Sequence, residues 1–322
     1  MTEKAGYDII GDVHGHADEL EALLHHLDYR KHAGAWRHPE RTAVFVGDLI
    51  DRGPRQLETV DIVRRMVDGG HAKAVMGNHE FNAIAWHIED EHGHPLRPHT
   101  DDNREQHAAF LAAVADKPAL HQELLDWFLT LPLWLELDGI NVVHACWHTG
   151  YMSRHGHRLT ARQQLTRELM PEAARKPAPG EETLFNAVEV WLKGLETRLP
   201  DGKTFQDKGN KTRSEVRVRW WNHEATLLPD TAIVDEDIRK DLPALEIPLA
   251  ARYRYEPTKP VFFGHYWMTG DPKPQSPLAG CVDFSVARNG KLVAYRWNGE
   301  PVLSHDSFQY VVSGKTTAPP LE

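Results

Sequence analysis

Three times in the first eighty residues, an apolar strand-like run ends in glycine followed by an oxygen-bearing side chain. Residues 7–10, 42–48 and 72–78 read as strands, and their ends are Gly11-Asp12, Gly47-Asp48 and Gly77-Asn78. Helical periodicity fills the gaps between them. Leu20, Leu23, Leu24 and Leu27 recur at i, i+3, i+4 and i+7 over about 17–28, and Leu57, Val60, Val63 and Val67 mark a second helix over about 55–68. Repeated strand–helix–strand units predict a mainly parallel sheet with helices on its faces. Such sheets collect their functional groups at the carboxyl ends of the strands, where a glycine allows a sharp turn or a close backbone approach.

The rest of the chain is less regular. Residues 83–130 read as polar helices and loops. Residues 131–147 read as two strands joined at Asp138-Gly139, a strong hairpin signal. From about 151 to 255 the character changes to charge runs and an amphipathic helix carrying Leu184, Val188, Trp191 and Leu195. This stretch is expected to be a mainly helical insertion or cap within a single domain spanning 1–322. Strands return at 259–267, 281–287 and 291–297, and a tail over about 308–322 is expected to be disordered.

Composition narrows the partners. No run approaches the roughly 18–20 apolar residues of a membrane span, and the N-terminus shows no apolar signal segment. No membrane partner is expected, and the cytoplasm is the expected location. Two cysteines, Cys146 and Cys281, are too few for a disulfide framework and read as small buried thiols. With 37 basic and 47 acidic residues the net charge is −10, which disfavours a sequence-independent grip on nucleic acid.

Five segments share one layout, an apolar strand ending in side chains able to bind metal. They are Gly11-Asp12-Val13-His14-Gly15, Gly47-Asp48-Leu49-Ile50-Asp51-Arg52-Gly53, Gly77-Asn78-His79-Glu80, Val143-His144-Ala145-Cys146 and Phe263-Gly264-His265-Tyr266. Oxygen and imidazole donors from several strand ends can converge on one point, as divalent metals require. His-Gly-His by itself is a weak signal. It occurs at 14–16, 92–94 and 155–157, and the last two copies follow no strand and read as surface loops.

The ordered set GDxHG, GDxxDRG, GNHE, a strand-borne histidine and FGH resembles the calcineurin-like metallophosphoesterase superfamily. GDxxDRG with GNHE is similar to its phosphoprotein phosphatase group, which also includes diadenosine tetraphosphate hydrolases. The resemblance rests on residues 7–80, 140–148 and 259–297 and implies a four-layer α/β/β/α sandwich with mixed sheets. It implies that Asp12 and His14 bind one metal, that Asp48 bridges two, and that Asn78, His144 and His265 bind the second. Two divalent ions are expected, manganese first, with iron, zinc or nickel as alternatives. Such a pair activates a bridging water and holds phosphate oxygens for in-line attack. His79 is then the general acid, Asp51 orients it, and Arg52 offers a fork to the phosphate, which Asn78 and His79 also border.

The sequence departs from the group at the rim of this site. Met76 stands where an arginine is usual, His144 is followed by Ala145-Cys146-Trp147, and His265 by Tyr266-Trp267. The second phosphate-binding arginine has no matching motif. In "SEVRVRWW" the alternation puts Arg217 and Arg219 on one face, and Arg219 is taken as the candidate. The motifs point first to hydrolysis of phosphomonoesters on serine, threonine or tyrosine of a phosphorylated protein, or on a small phosphoester. The alternative is dinucleoside tetraphosphate hydrolysis, with tryptophans of the 151–255 region stacking a base. A reading of another class, a non-catalytic metal-binding scaffold, requires a lost ligand or acid, and none is missing.

Overall fold

The structure is a computed structural model and describes residues 6–206, 212–222, 224–253 and 255–314. The first predicted units form as expected: strand Gly6–Ile10, helix Ala17–His26, strand Arg41–Phe45, helix Gln56–Asp68 and strand Ala72–Ala74. Gly6–Ile10 pairs in parallel with Arg41–Phe45, which pairs in parallel with Ala72–Ala74. On its other edge Gly6–Ile10 pairs antiparallel with Lys291–Trp297, which also carries Asp283–Phe284 and Phe308–Val312. The sheet is therefore mixed. A second sheet runs in the order Ala279–Cys281, Val261–Phe263, Asn141–Val143, Trp134–Glu136. Its last two strands form the hairpin, turning at Gly139 with φ +80°.

The two faces of the first sheet are legible in the alternation of its strands. Ile10, Phe45 and Ala74 pack with Leu20, Leu24, Val60 and Val63 from the two helices. Ile9, Val44, Val46 and Val75 face the other way and meet Ile140, Val142 and Phe262 of the second sheet. The outer face of the second sheet buries Trp191 of helix Leu184–Lys193, together with Val143, Phe263 and Trp220. The layers are thus helix, sheet, sheet, helix. Each large apolar side chain buried this way contributes on the order of 1.5–3 kcal/mol.

Several expectations change. Residues 308–312 are a strand bonded to Lys291–Trp297 rather than tail; 315–322 lie outside the described residues. The 151–255 region is less helical than expected: its helices are short, and it holds the two-stranded ribbon Glu196–Arg198/Glu215–Arg217. Its tryptophans Trp191, Trp220 and Trp221 are buried in the core, so they cannot stack a substrate base. Leu57 and Val67 are only half-buried. Of the His-Gly-His copies, 92–94 is exposed, but His155 ends helix Thr149–His155 and is buried beside Glu182 at 3.4 Å. Both cysteines are free and buried. Among the described residues no helix is long and apolar enough to cross a membrane.

Candidate metal centre and acid–base dyad

The carboxyl ends of both sheets meet, and the predicted residues meet with them. Asp12 and His14 follow strand Gly6–Ile10, and Asp48, Asp51 and Arg52 follow Arg41–Phe45. Asn78 and His79 open helix Asn78–His87, and His144 and His265 follow two strands of the second sheet. Backbone bonds lock the ends together. His144 Nδ1–H donates to the Val46 carbonyl at 2.7 Å, and the His265 N–H donates to Asp12 Oδ2 at 3.0 Å.

Left-handed backbone clusters here. His14, Asp48, Asp51, Arg52 and His265 all have φ between 48° and 74°. Non-glycine residues hold this conformation only where their surroundings enforce it. One enforcer is Glu80, fully buried, whose carboxylate accepts the N–H groups of Asp48, Leu49 and Gly77 at 2.8–2.9 Å. It ties the GDxxDRG and GNHE loops to each other, so its presence says nothing about the substrate.

Asp48 lies at the middle. Its Oδ2 is 3.6 Å from His14 Nε2, 3.4 Å from His144 Nε2 and 3.9 Å from His79 Nε2. Two donor triples share it: His14, Asp48 and His79 on one side, Asp48, His144 and His265 on the other. The Asn78 amide oxygen lies 3.0 Å from His144 Nε2 and 2.8 Å from His265 Nδ1.

The donor set fits divalent cations. His14 and His144 donate Nδ1–H to backbone carbonyls of Ile50 and Val46, so their Nε2 lone pairs face inward; a metal-binding imidazole is usually oriented this way. Asp12 Oδ1, His14 Nε2 and His265 Nε2 are buried without a hydrogen-bond partner, a costly condition unless something binds them. Burial pushes the Asp12 carboxyl up, as do the charges of Asp283 and Asp48, while burial pulls His14 down to about 4. A cation reverses both penalties by favouring a carboxylate and a neutral imidazole.

The candidate acid–base pair lies beside the centre. His79 Nδ1 and Asp51 Oδ2 are 2.5 Å apart, with the imidazole donating. Burial opposes the charged ring, but Asp48 and Asp51 outweigh it and raise the His79 pKa. Two residues escape sequence reasoning. His107, from helix Asp101–Val114, places Nδ1 2.8 Å from the other Asp51 oxygen, and Asp283 is buried with both oxygens on backbone N–H groups of Trp267 and Ser285. The amphipathic spacing of Phe110 and Val114 about His107 was the one signal available for the former.

Arg219 is not brought to the site. The strand ends at Arg217; the Arg219 N–H donates to the Thr231 carbonyl at 2.7 Å, and its side chain lies in the field of Arg239, Asp230 and Glu236. Val216, Val218 and Trp220 are buried as the alternation requires. Arg217, half-buried, is the arginine whose charge bears on His265.

Residues 7–230 match the calcineurin-like phosphoesterase family. The chain belongs to that family. Among relatives of this phosphoesterase, the symmetrical bis(5'-nucleosyl)-tetraphosphatase of Vibrio parahaemolyticus is 26% identical over 309 residues, 93% of this chain and 98% of its own. The asymmetrical bis(5'-nucleosyl)-tetraphosphatase of Halalkalibacterium halodurans is 50% identical over 74 residues, 23% of this chain, which spans only 30% of that relative. A protein serine/threonine phosphatase from Saccharomyces cerevisiae shares the fold, with a TM-score of 0.52 at 12% identity over 100% of this chain and 83% of that one.

Proposed function

We propose that this phosphoesterase hydrolyses dinucleoside polyphosphates at a centre of two divalent cations. The observation that carries the chemistry is Asp48, whose Oδ2 lies 3.6 Å from His14 Nε2 and 3.4 Å from His144 Nε2, beside a buried His79–Asp51 pair. Asp12, His14 and Asp48 would hold one cation, and Asp48, Asn78, His144 and His265 the other. When bound, the pair supplies Lewis-acid polarisation of phosphate oxygens and an acidified water; manganese, iron, zinc and nickel all suit the donors.

The chain's own groups do the rest. His79 keeps Nδ1–H on Asp51, so its Nε2 is the nitrogen that faces the centre and can give a proton to the departing oxygen. Asp51 keeps the ring charged and aimed. Arg52, exposed one residue on, can pair with phosphate oxygens, and the charge of Arg217 bears on His265. The buried Gly264 keeps the approach of Asp12 open, since a methyl group there would overlap Asp12 Oδ1.

The motifs alone put phosphomonoesters first and dinucleoside tetraphosphates second. The end-to-end alignment with a symmetrical tetraphosphatase supports the reverse order. The test is a panel on metal-stripped protein reloaded with Mn²⁺, Fe²⁺, Zn²⁺ or Ni²⁺, given diadenosine tetraphosphate, phosphopeptides and p-nitrophenyl phosphate. Preference for the dinucleotide supports the proposal. Preference for phosphopeptides restores the phosphatase reading, and no turnover with any metal leaves the scaffold.

A further inference from the structure

A pocket of about 440 Å³ opens beside the centre, lined by Trp267, Met268, Phe284, Ser285, Arg288 and Lys291 among others. Its volume is that of a small-ligand site. Trp267 joins the two, standing two residues past His265. The Arg288 guanidinium lies 3.9 Å from the centroid of its indole, and Arg52 lies 5.6 Å from it on the side of the catalytic loop. Lys291 adds an ammonium group, 3.1 Å from the exposed Asp271 and 4.1 Å from the Tyr310 ring. A path of cationic side chains thus leads from the phosphate-cleaving end to the pocket, over one aromatic ring.

The wall loops carry unusual backbone. Trp267, Ser285 and Asn289 all carry left-handed backbone, with φ 50°, 63° and 59°. One buried residue holds the two wall loops together. Asp283 accepts the Trp267 N–H on Oδ2 at 2.7 Å, the Ser285 N–H on Oδ1 at 3.0 Å and the Met268 N–H on its carbonyl at 3.0 Å. Strained backbone kept in place by a buried anchor is a mark of sites rather than of connecting loops.

We propose that this pocket is the subsite for one nucleoside-phosphate arm of the substrate, a deepening that rests on the dinucleoside polyphosphate reading. Arg52 and Arg288 pair with phosphates beyond the scissile one, and the base lies against the Arg288–Trp267 wall. Guanidinium planes and indoles both stack on bases, and arginine also forks onto phosphate. A phosphomonoester with a small leaving group reaches the centre without entering the pocket.

The test compares wild-type protein with Arg288→Ala and Trp267→Ala, all loaded with Mn²⁺. The readout is the ratio of kcat/KM for diadenosine tetraphosphate to that for p-nitrophenyl phosphate. The ratio is expected to fall by about tenfold in Arg288→Ala, the loss of one charge-assisted contact, mainly through KM. Calorimetry with ADP on metal-free protein is expected to show a matching loss of affinity. Arg288 is exposed, so its substitution tests the pocket even if Trp267→Ala fails to fold. An unchanged ratio in protein that cleaves both substrates overturns the pocket alone. Wild-type protein that cleaves p-nitrophenyl phosphate but not the dinucleotide overturns the functional reading and the pocket with it.

Discussion

Replacing His107 with alanine takes one of two imidazole donors from a carboxylate that is 2% exposed. Asp51 accepts His79 on one oxygen at 2.5 Å and His107 on the other at 2.8 Å. With His107 gone, one oxygen of a buried anion loses its partner, and the charge concentrates on the oxygen facing His79. That grips the His79 proton more tightly and frees the carboxylate to swing. A hydrogen bond to a charged group is worth about 1.5–3 kcal/mol, which caps the rate loss at roughly 10- to 150-fold. The loss falls on substrates whose leaving group needs a proton. Phenyl phosphate should therefore lose close to the full factor in kcat, and p-nitrophenyl phosphate only a few-fold. His107→Asn, which keeps a donor near the Nδ1 position, should recover most of the activity. Manganese content and melting temperature of each variant separate positioning from collapse of the centre. Equal losses for both esters, or no rescue by asparagine, would refute the reasoning.

The other predictions test the frame and the centre. Asp48→Asn should lower bound manganese at both positions by elemental analysis, because both proposed ligand sets include Asp48; a full complement of metal would sink the shared-ligand assignment. Gly264→Ala should cut metal affinity while the far-ultraviolet spectrum stays native, since the added methyl meets Asp12 Oδ1. Asp8→Ala leaves the buried Arg41, bonded to both Asp8 oxygens at 2.9–3.0 Å, without its counter-charge. It should cost about 3–5 kcal/mol in urea unfolding, and a loss under 1 kcal/mol would show the pair is not needed. His79→Asn should retain its metal and lose more turnover with phenyl phosphate than with diadenosine tetraphosphate, whose departing phosphate needs less help; the opposite order would remove His79 from the acid role.

Relatives and structure together shift the weight of the motifs. GDxxDRG and GNHE identify the chemistry but not the substrate; Glu80, which closes GNHE, spends its carboxylate on backbone N–H groups. What surrounds the centre differs from the phosphoprotein phosphatase pattern at Met76, Trp147 and Trp267. Of these, Trp267 lines a pocket.

The sequence by itself determined the first strands, the helices between them and the glycine-acid strand endings, since these are local properties. Strand alternation assigns faces, helical spacing assigns stripes, and a glycine-acid ending places Asp12, Asp48 and Asn78 at carboxyl ends within a few residues of their cause. The tertiary structure decided everything that depends on where a chain goes after it leaves its strand. Arg219 follows Arg217 by two residues and would share its face had the strand continued; the strand stops, and of the two Arg217 is the one whose charge bears on His265. His107 meets Asp51 across 56 residues, and Asp283 ties down a loop 16 residues earlier in the chain. Arg288 meets the Trp267 ring from a loop that Asp283 ties to the one carrying Trp267. No periodicity encodes such meetings, because they are set by the packing of two sheets whose edges the sequence does not order.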